Sequence, residues 1–138
     1  MKKTVHLTIL TPDAKFYEGD VSLVTLKAGN GYIGLQPNRA PFFSNIDVGF
    51  LTIENEKSPN YAKFTIGGGL VYADSSTINI ITDDIIDFKN IDIARAKRDK
   101  EWAEKELLKY DNDKNVLLEL KLKKALSRID AYNSIHNK

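Results

Sequence analysis

The spacing of apolar residues in this chain changes once, within Asp83–Arg98 (Asp-Asp-Ile-Ile-Asp-Phe-Lys-Asn-Ile-Asp-Ile-Ala-Arg-Ala-Lys-Arg). Upstream, apolar residues tend to alternate, and glycine and proline punctuate the pattern. Downstream there is neither glycine nor proline. A period near 2 suits a strand with unlike faces, and a period near 3.6 suits an amphipathic helix. The chain therefore has to hold a β part followed by an α part, predicted as residues 1–87 and 88–138.

In the β part, Thr4 to Leu10 sets Val5, Leu7 and Ile9 against His6 and Thr8, which predicts a half-buried strand. Thr11-Pro12-Asp13 is a turn, with Asp13 placed to bond its own backbone. Val21–Lys27 changes parity, as a bulge or burial on both faces would require. Ala28-Gly29-Asn30-Gly31 connects to a short strand at Tyr32–Leu35, and Pro37-Asn38-Arg39-Ala40-Pro41 is a rigid loop with one projecting cation. Val48–Glu54 and Tyr61–Ile66 predict a hairpin across a polar turn at Asn55–Asn60. After Gly67-Gly68-Gly69 come strands at Leu70–Ala73 and Ile78–Thr82. Many short strands with no helix between them predict an antiparallel β-sandwich.

The α part predicts an antiparallel two-helix hairpin. Asn90 is the expected N-cap, with Asp92 an anion in the first turn. Ile93, Ala96, Ala103, Leu107 and Tyr110 form one stripe, and Asp111–Asn115 breaks the helix. Leu118, Leu122, Ala125, Ile129 and Tyr132 form the second stripe. The first stripe is rich in alanine, so the helices can approach closely but bury little, which predicts a hairpin able to leave its resting place.

Composition narrows the chemistry. The chain has no cysteine, which excludes disulfides and thiolate metal sites, and only two histidines, His6 and His136. No apolar run approaches the roughly 20 residues of a membrane helix, and Met1-Lys2-Lys3 is not followed by an apolar signal region. Residues 1–87 hold 7 Lys/Arg against 10 Asp/Glu, whereas residues 88–138 hold 13 against 9. The basic α part could meet an acidic surface or a nucleotide; nucleic acid is disfavoured, because Trp102 and Tyr110 at helical spacing read as packing rather than as stacking platforms.

No catalytic or metal constellation emerges. Gly67-Gly68-Gly69 lacks the Lys-Ser/Thr and helix of a phosphate loop, so it reads as a close backbone approach. Asp83, Asp84 and Asp87 have no further ligand type beside them, and His6 has no nucleophile at motif spacing. Arg95 and Arg128 are the better candidates. In an antiparallel hairpin they come to the same end, where two guanidiniums can hold phosphate oxygens. Asp92 and Arg95, three apart, are neighbours on one helix face and read equally well as an ion pair.

With these pieces in order, nearly the whole chain, from Thr4 to Ile129, resembles the ε subunit of bacterial F-type ATP synthase. The matching pieces are Thr11-Pro12-Asp13 with Tyr17-Glu18-Gly19, Gly34-Leu35-Gln36-Pro37 with Ala40-Pro41, Gly49 with Leu51 and Ile53, Gly68-Gly69, and Ile91-Asp92 with Arg95-Ala96. The resemblance implies a β-sandwich followed by a two-helix domain. It implies a non-catalytic accessory subunit in the central stalk of a proton-translocating complex, peripheral on the cytoplasmic face of the cell membrane. The implied partners are the γ subunit, the membrane c-ring and, when the helices extend, the catalytic α/β subunits. Extension of the hairpin implies a block on ATP hydrolysis. No cofactor is required, but ATP is implied as a regulatory ligand of the folded hairpin. Carried over, that site takes Ile91, Asp92, Arg95 and Ala96 from the motif and Arg128 from the second helix, with Lys124 where ATP-binding members have another arginine. The alternative reading is a free small-nucleotide sensor built on the same two helices.

Overall fold

The computed structural model describes residues 3–29, 31–109 and 114–136. They fall into two compact units, Met1–Ile85 and Ile86–Lys138. The first unit is built from β1 (Val5–Leu10), β2 (Lys15–Val21), β3 (Val24–Ala28), β4 (Gly31–Leu35), β5 (Phe42–Ile53), β6 (Ala62–Ala73) and β7 (Thr77–Ile81). The strand order is β2-β1-β7-β6-β5-β3-β4, with a short β8 (Ile85–Asp87) beside β6. The pairs β1–β2, β3–β4, β3–β5, β5–β6 and β6–β7 are antiparallel, as alternation predicted. β1 and β7 run parallel, an exception that no local pattern announces.

The long β5–β6 hairpin turns the sheet back on itself. Its register keeps one offset from Phe42↔Ala73 to Ile53↔Ala62, skipping only the Asp47–Gly68 position. The outer end of β6 pairs with β7, while the inner end of β5 pairs with β3, so the two ends of one hairpin serve different parts of the sheet. Ile46 is buried with even-numbered neighbours turned inward, and farther on Leu51 and Ile53 are the buried ones. The inward face therefore changes parity near Asp47, which lies opposite Gly67–Gly69. Glycine is required there: Gly68 and Gly69 have φ of 101° and 156°, and a Cβ on Gly69 would stand 2.3 Å from the Ile81 carbonyl oxygen. Thr82 Oγ1 donates to the Gly68 carbonyl at 2.6 Å, and Gly67 N–H donates to the Asp84 carbonyl at 2.8 Å. Leu7, Ile9, Leu26, Leu35, Leu51, Ile66, Ile78 and Ile80 fill the core between the folded-over faces.

Three local expectations are corrected. Tyr61–Ile66 and Leu70–Ala73 are one strand, β6, because the glycines bend the ladder without ending it. The parity change after Val21 is a corner rather than a bulge: the chain leaves β2, and the Ser22 N–H and Oγ both donate to the Glu54 carboxylate before β3 begins. The turn after β1 is closed by Thr11 rather than Asp13, through Thr11 N–H and Oγ1 donating to the Ala14 carbonyl at 3.0 and 2.9 Å.

The second unit opens with a 3-10 turn, Phe88–Asn90, followed by α1 (Ile93–Leu107) and α2 (Lys114–His136). Two helices that pack on each other across so short a connection must run antiparallel. Ala96 and Ala103 of α1 and Leu118, Ala125 and Ala131 of α2 are buried. From the predicted stripes Leu122, Ile129 and Tyr132 are half-buried, while Tyr110 and most of the Asp111–Asn115 break lie outside the described residues. Lys114 and Asn115 already belong to α2.

Candidate functional site

The N-cap of α1 is Asp92, not Asn90. Asp87 caps the 3-10 turn by accepting the Lys89 N–H at 2.9 Å, and Ile91 then stays extended. This delays the α-helix by two residues. Asp92 Oδ1 accepts the Arg95 N–H at 3.0 Å, and the Asp92 carbonyl accepts the Ala96 N–H at 3.0 Å. Asp92 thus meets Arg95 through the backbone and satisfies one of the donors every helix start leaves open. Ile91 and Ala96 are buried and hold the motif against the unit, while the Arg95 side chain is exposed.

Further along, Lys121 Nζ lies 4.4 Å from the centre of the Trp102 ring. That contact sets Lys121 beside Trp102 across the two helices. Arg95 is seven residues before Trp102, and Arg128 is seven after Lys121. At equal rise in antiparallel helices, Arg95 and Arg128 stand at the same level. Lys124 and Arg128 are half-buried and both already have interaction partners. Ser127 Oγ, next to Arg128, is buried with no hydrogen-bond partner among the described residues. The sequence reading missed it, since a mid-helix serine carries no signal by itself.

A second feature lies on the outer face of the sheet in the first unit. Leu10, Ile81 and Leu70 sit side by side on β1, β7 and β6. Tyr72 follows Leu70 on the same face, and Phe43 of β5 stands opposite Tyr72. All five are exposed, Phe43 by 67% and Ile81 by 56%. The Arg39 guanidinium stacks over Phe42, 5.0 Å from the ring centre, and its Nε donates to the Ala40 carbonyl at 3.2 Å. The expected projecting cation is thus folded onto the loop's own aromatic neighbour.

α2 also shows apolar surface at the end near α1's exit. Val116 and Leu117 are each 70% exposed, and Leu108 beyond α1 is more exposed still. No helix of the described residues is long and apolar enough to cross a membrane.

A continuous apolar sheet face, with further apolar surface on a helix pair, is the build of a docking subunit of a larger assembly. The comparisons say which. Residues 4–88 match the family model of the ATP synthase Delta/Epsilon chain β-sandwich domain. The chain is 45% identical over 132 residues to the ATP synthase epsilon chain of Mycoplasmopsis synoviae, covering 94% of this chain and 95% of that one. It is 33% identical to the sodium-ion-specific epsilon chain of Propionigenium modestum, covering 91% of each. In fold it matches a chain in the cryo-EM structure of the OSCP/F1/c-ring portion of the Euglena gracilis mitochondrial ATP synthase, with a TM-score of 0.82 at 18% identity, over 95% of this chain and 82% of that one.

The chain belongs to the ATP synthase epsilon-chain family. It is an accessory subunit of ATP synthase and not itself catalytic.

Proposed function

We propose that this subunit docks the central stalk onto the c-ring and restrains ATP hydrolysis through its helices, on the cytoplasmic face of the cell membrane. The observation that carries the reading is the outer sheet face, Leu10, Ile81, Leu70, Tyr72 and Phe43. Such a face suits a permanent partner, and in this family the γ subunit is the candidate, with the Arg39 loop toward the c-ring. Exchanging apolar side chains at its centre for carboxylates puts unpaired charge into the contact. Phe43→Asp with Ile81→Asp is expected to abolish co-purification with γ while leaving the circular dichroism of the isolated chain unchanged. Retained co-purification at wild-type ratio would overturn the reading.

The helices carry the regulatory half. The exposed Val116 and Leu117 give α2 a second apolar surface, which supports contact with the catalytic subunits once the hairpin extends. ATP is proposed as the ligand that favours the folded hairpin, since a ligand bound to one state only must shift the balance toward it. The level placement of Arg95 and Arg128 and the unbonded Ser127 hydroxyl support this. Trp102, the single tryptophan, is the reporter. A saturable change in its fluorescence on ATP titration, weakened by Arg95→Ala and by Arg128→Ala, is expected. Calorimetry with no heat at millimolar ATP would remove ATP from the account.

A further inference from the structure

Four titratable side chains form a ladder at the β1–β2 edge of the sheet. His6 on β1 lies directly opposite Asp20 on β2 and diagonal to Glu18. Its Nδ1 is 2.9 Å from Asp20 Oδ1, and its Nε2 is 2.8 Å from Glu18 Oε2. Lys15 Nζ donates to Glu18 Oε1 at 2.6 Å. Carboxylates only accept, and a neutral imidazole has a single N–H. Both short contacts are therefore satisfied together only by the doubly protonated ring.

On the β7 side His6 pairs with Thr77, and its backbone N–H donates to the Ser76 carbonyl at 2.9 Å. Asp74, the charged residue of that turn, has its Oδ1 taken up by the N–H groups of Ser76 and Thr77 at 2.9 and 2.8 Å. Lys3, ahead of β1, is exposed. β2 ends the strand order, so β1 is its one sheet neighbour.

We propose that His6, Glu18 and Asp20 form a proton-operated latch that ties the edge strand β2 to β1. Loss of one ring proton leaves one carboxylate without its histidine donor and removes the positive charge between Glu18 and Asp20, two apart on the same face of β2, which then repel. The hydrogen bond to Asp20, followed by that to Glu18, holds the imidazole above its ordinary 6.5. The Lys15 ammonium, followed by His6, holds the Glu18 carboxyl below its ordinary 4.5. The His6 contribution is thus complete below 6.5 and lost as pH rises through its raised value. The Glu18 contribution is complete above 4.5 and lost as pH falls through its lowered value. The latch is strongest between those limits and opens toward alkaline pH.

The test is nitrogen-15 NMR on the full-length chain. Both His6 ring nitrogens are expected to carry protons at about pH 6, with a titration midpoint above the free-imidazole range. Asp20→Asn and Glu18→Gln should each lower that midpoint. Amide-exchange protection in β2, corrected for intrinsic rates and divided by that of Val71 in β6, should fall several-fold from about pH 6 to about pH 9, and stay flat in His6→Gln. A midpoint that neither substitution moves, or an equal fall in His6→Gln, would overturn the proposal.

Discussion

Gly69 has no space for a side chain, at the point where the inward face of the β5–β6 hairpin changes parity. Gly69→Ala would drive a methyl group into the Ile81 carbonyl at a φ that alanine avoids. The expected cost is about 3 kcal/mol, read as a lower midpoint in urea unfolding. Gly31→Ala, where nothing stands within 4 Å, should leave the midpoint nearly unchanged. The sequence announced a close approach at Gly67–Gly69 but not its consequence, because a glycine run marks a break in a strand as readily as a bend within one. The helix cap shows the same limit. Asn90 and Asp92 are both good caps, and only Asp87's capture of the Lys89 N–H decides between them.

At the scale of elements, the two helices differ in kind. α1 buries only the small residues Ala96 and Ala103 and is mostly polar elsewhere, with Trp102 exposed, whereas α2 buries Leu118 and Ala125 yet exposes Val116, Leu117 and Leu120. Such a helix has more apolar surface than one partner can cover. Val116→Ser with Leu117→Ser is expected to keep the helix content of the isolated chain and to raise ATP hydrolysis by the reconstituted complex several-fold. Leu118→Ala, in the buried stripe, should instead destabilise the helical unit by roughly 2–3 kcal/mol, read as a lower unfolding midpoint. Helical spacing revealed the buried stripe through Leu118 and Ala125. It did not reveal Ala131, and it could not say which of the remaining leucines stay outside, since that depends on where α1 ends.

For the molecule as a whole, the division into a β unit and an α unit was readable from one change of period. The parallel β1–β7 pair was not, because its partners lie some seventy residues apart and local alternation carries no record of the neighbour. Since the first unit has its own core, a chain ended after Asp87 is expected to fold and still co-purify with γ, while losing any response to ATP. A truncated chain that unfolds would show that the helices are needed for the sheet. The β1–β7 pairing also sets a schedule for the ribosome. β1 is synthesised well before its second neighbour, which follows only when residues 77–81 have been translated, on the order of ten seconds later at typical elongation rates. Until then β1 lacks one of its two sheet neighbours, and a pause in translation before β7 would prolong the time that Val5, Leu7 and Ile9 stay without their full cover.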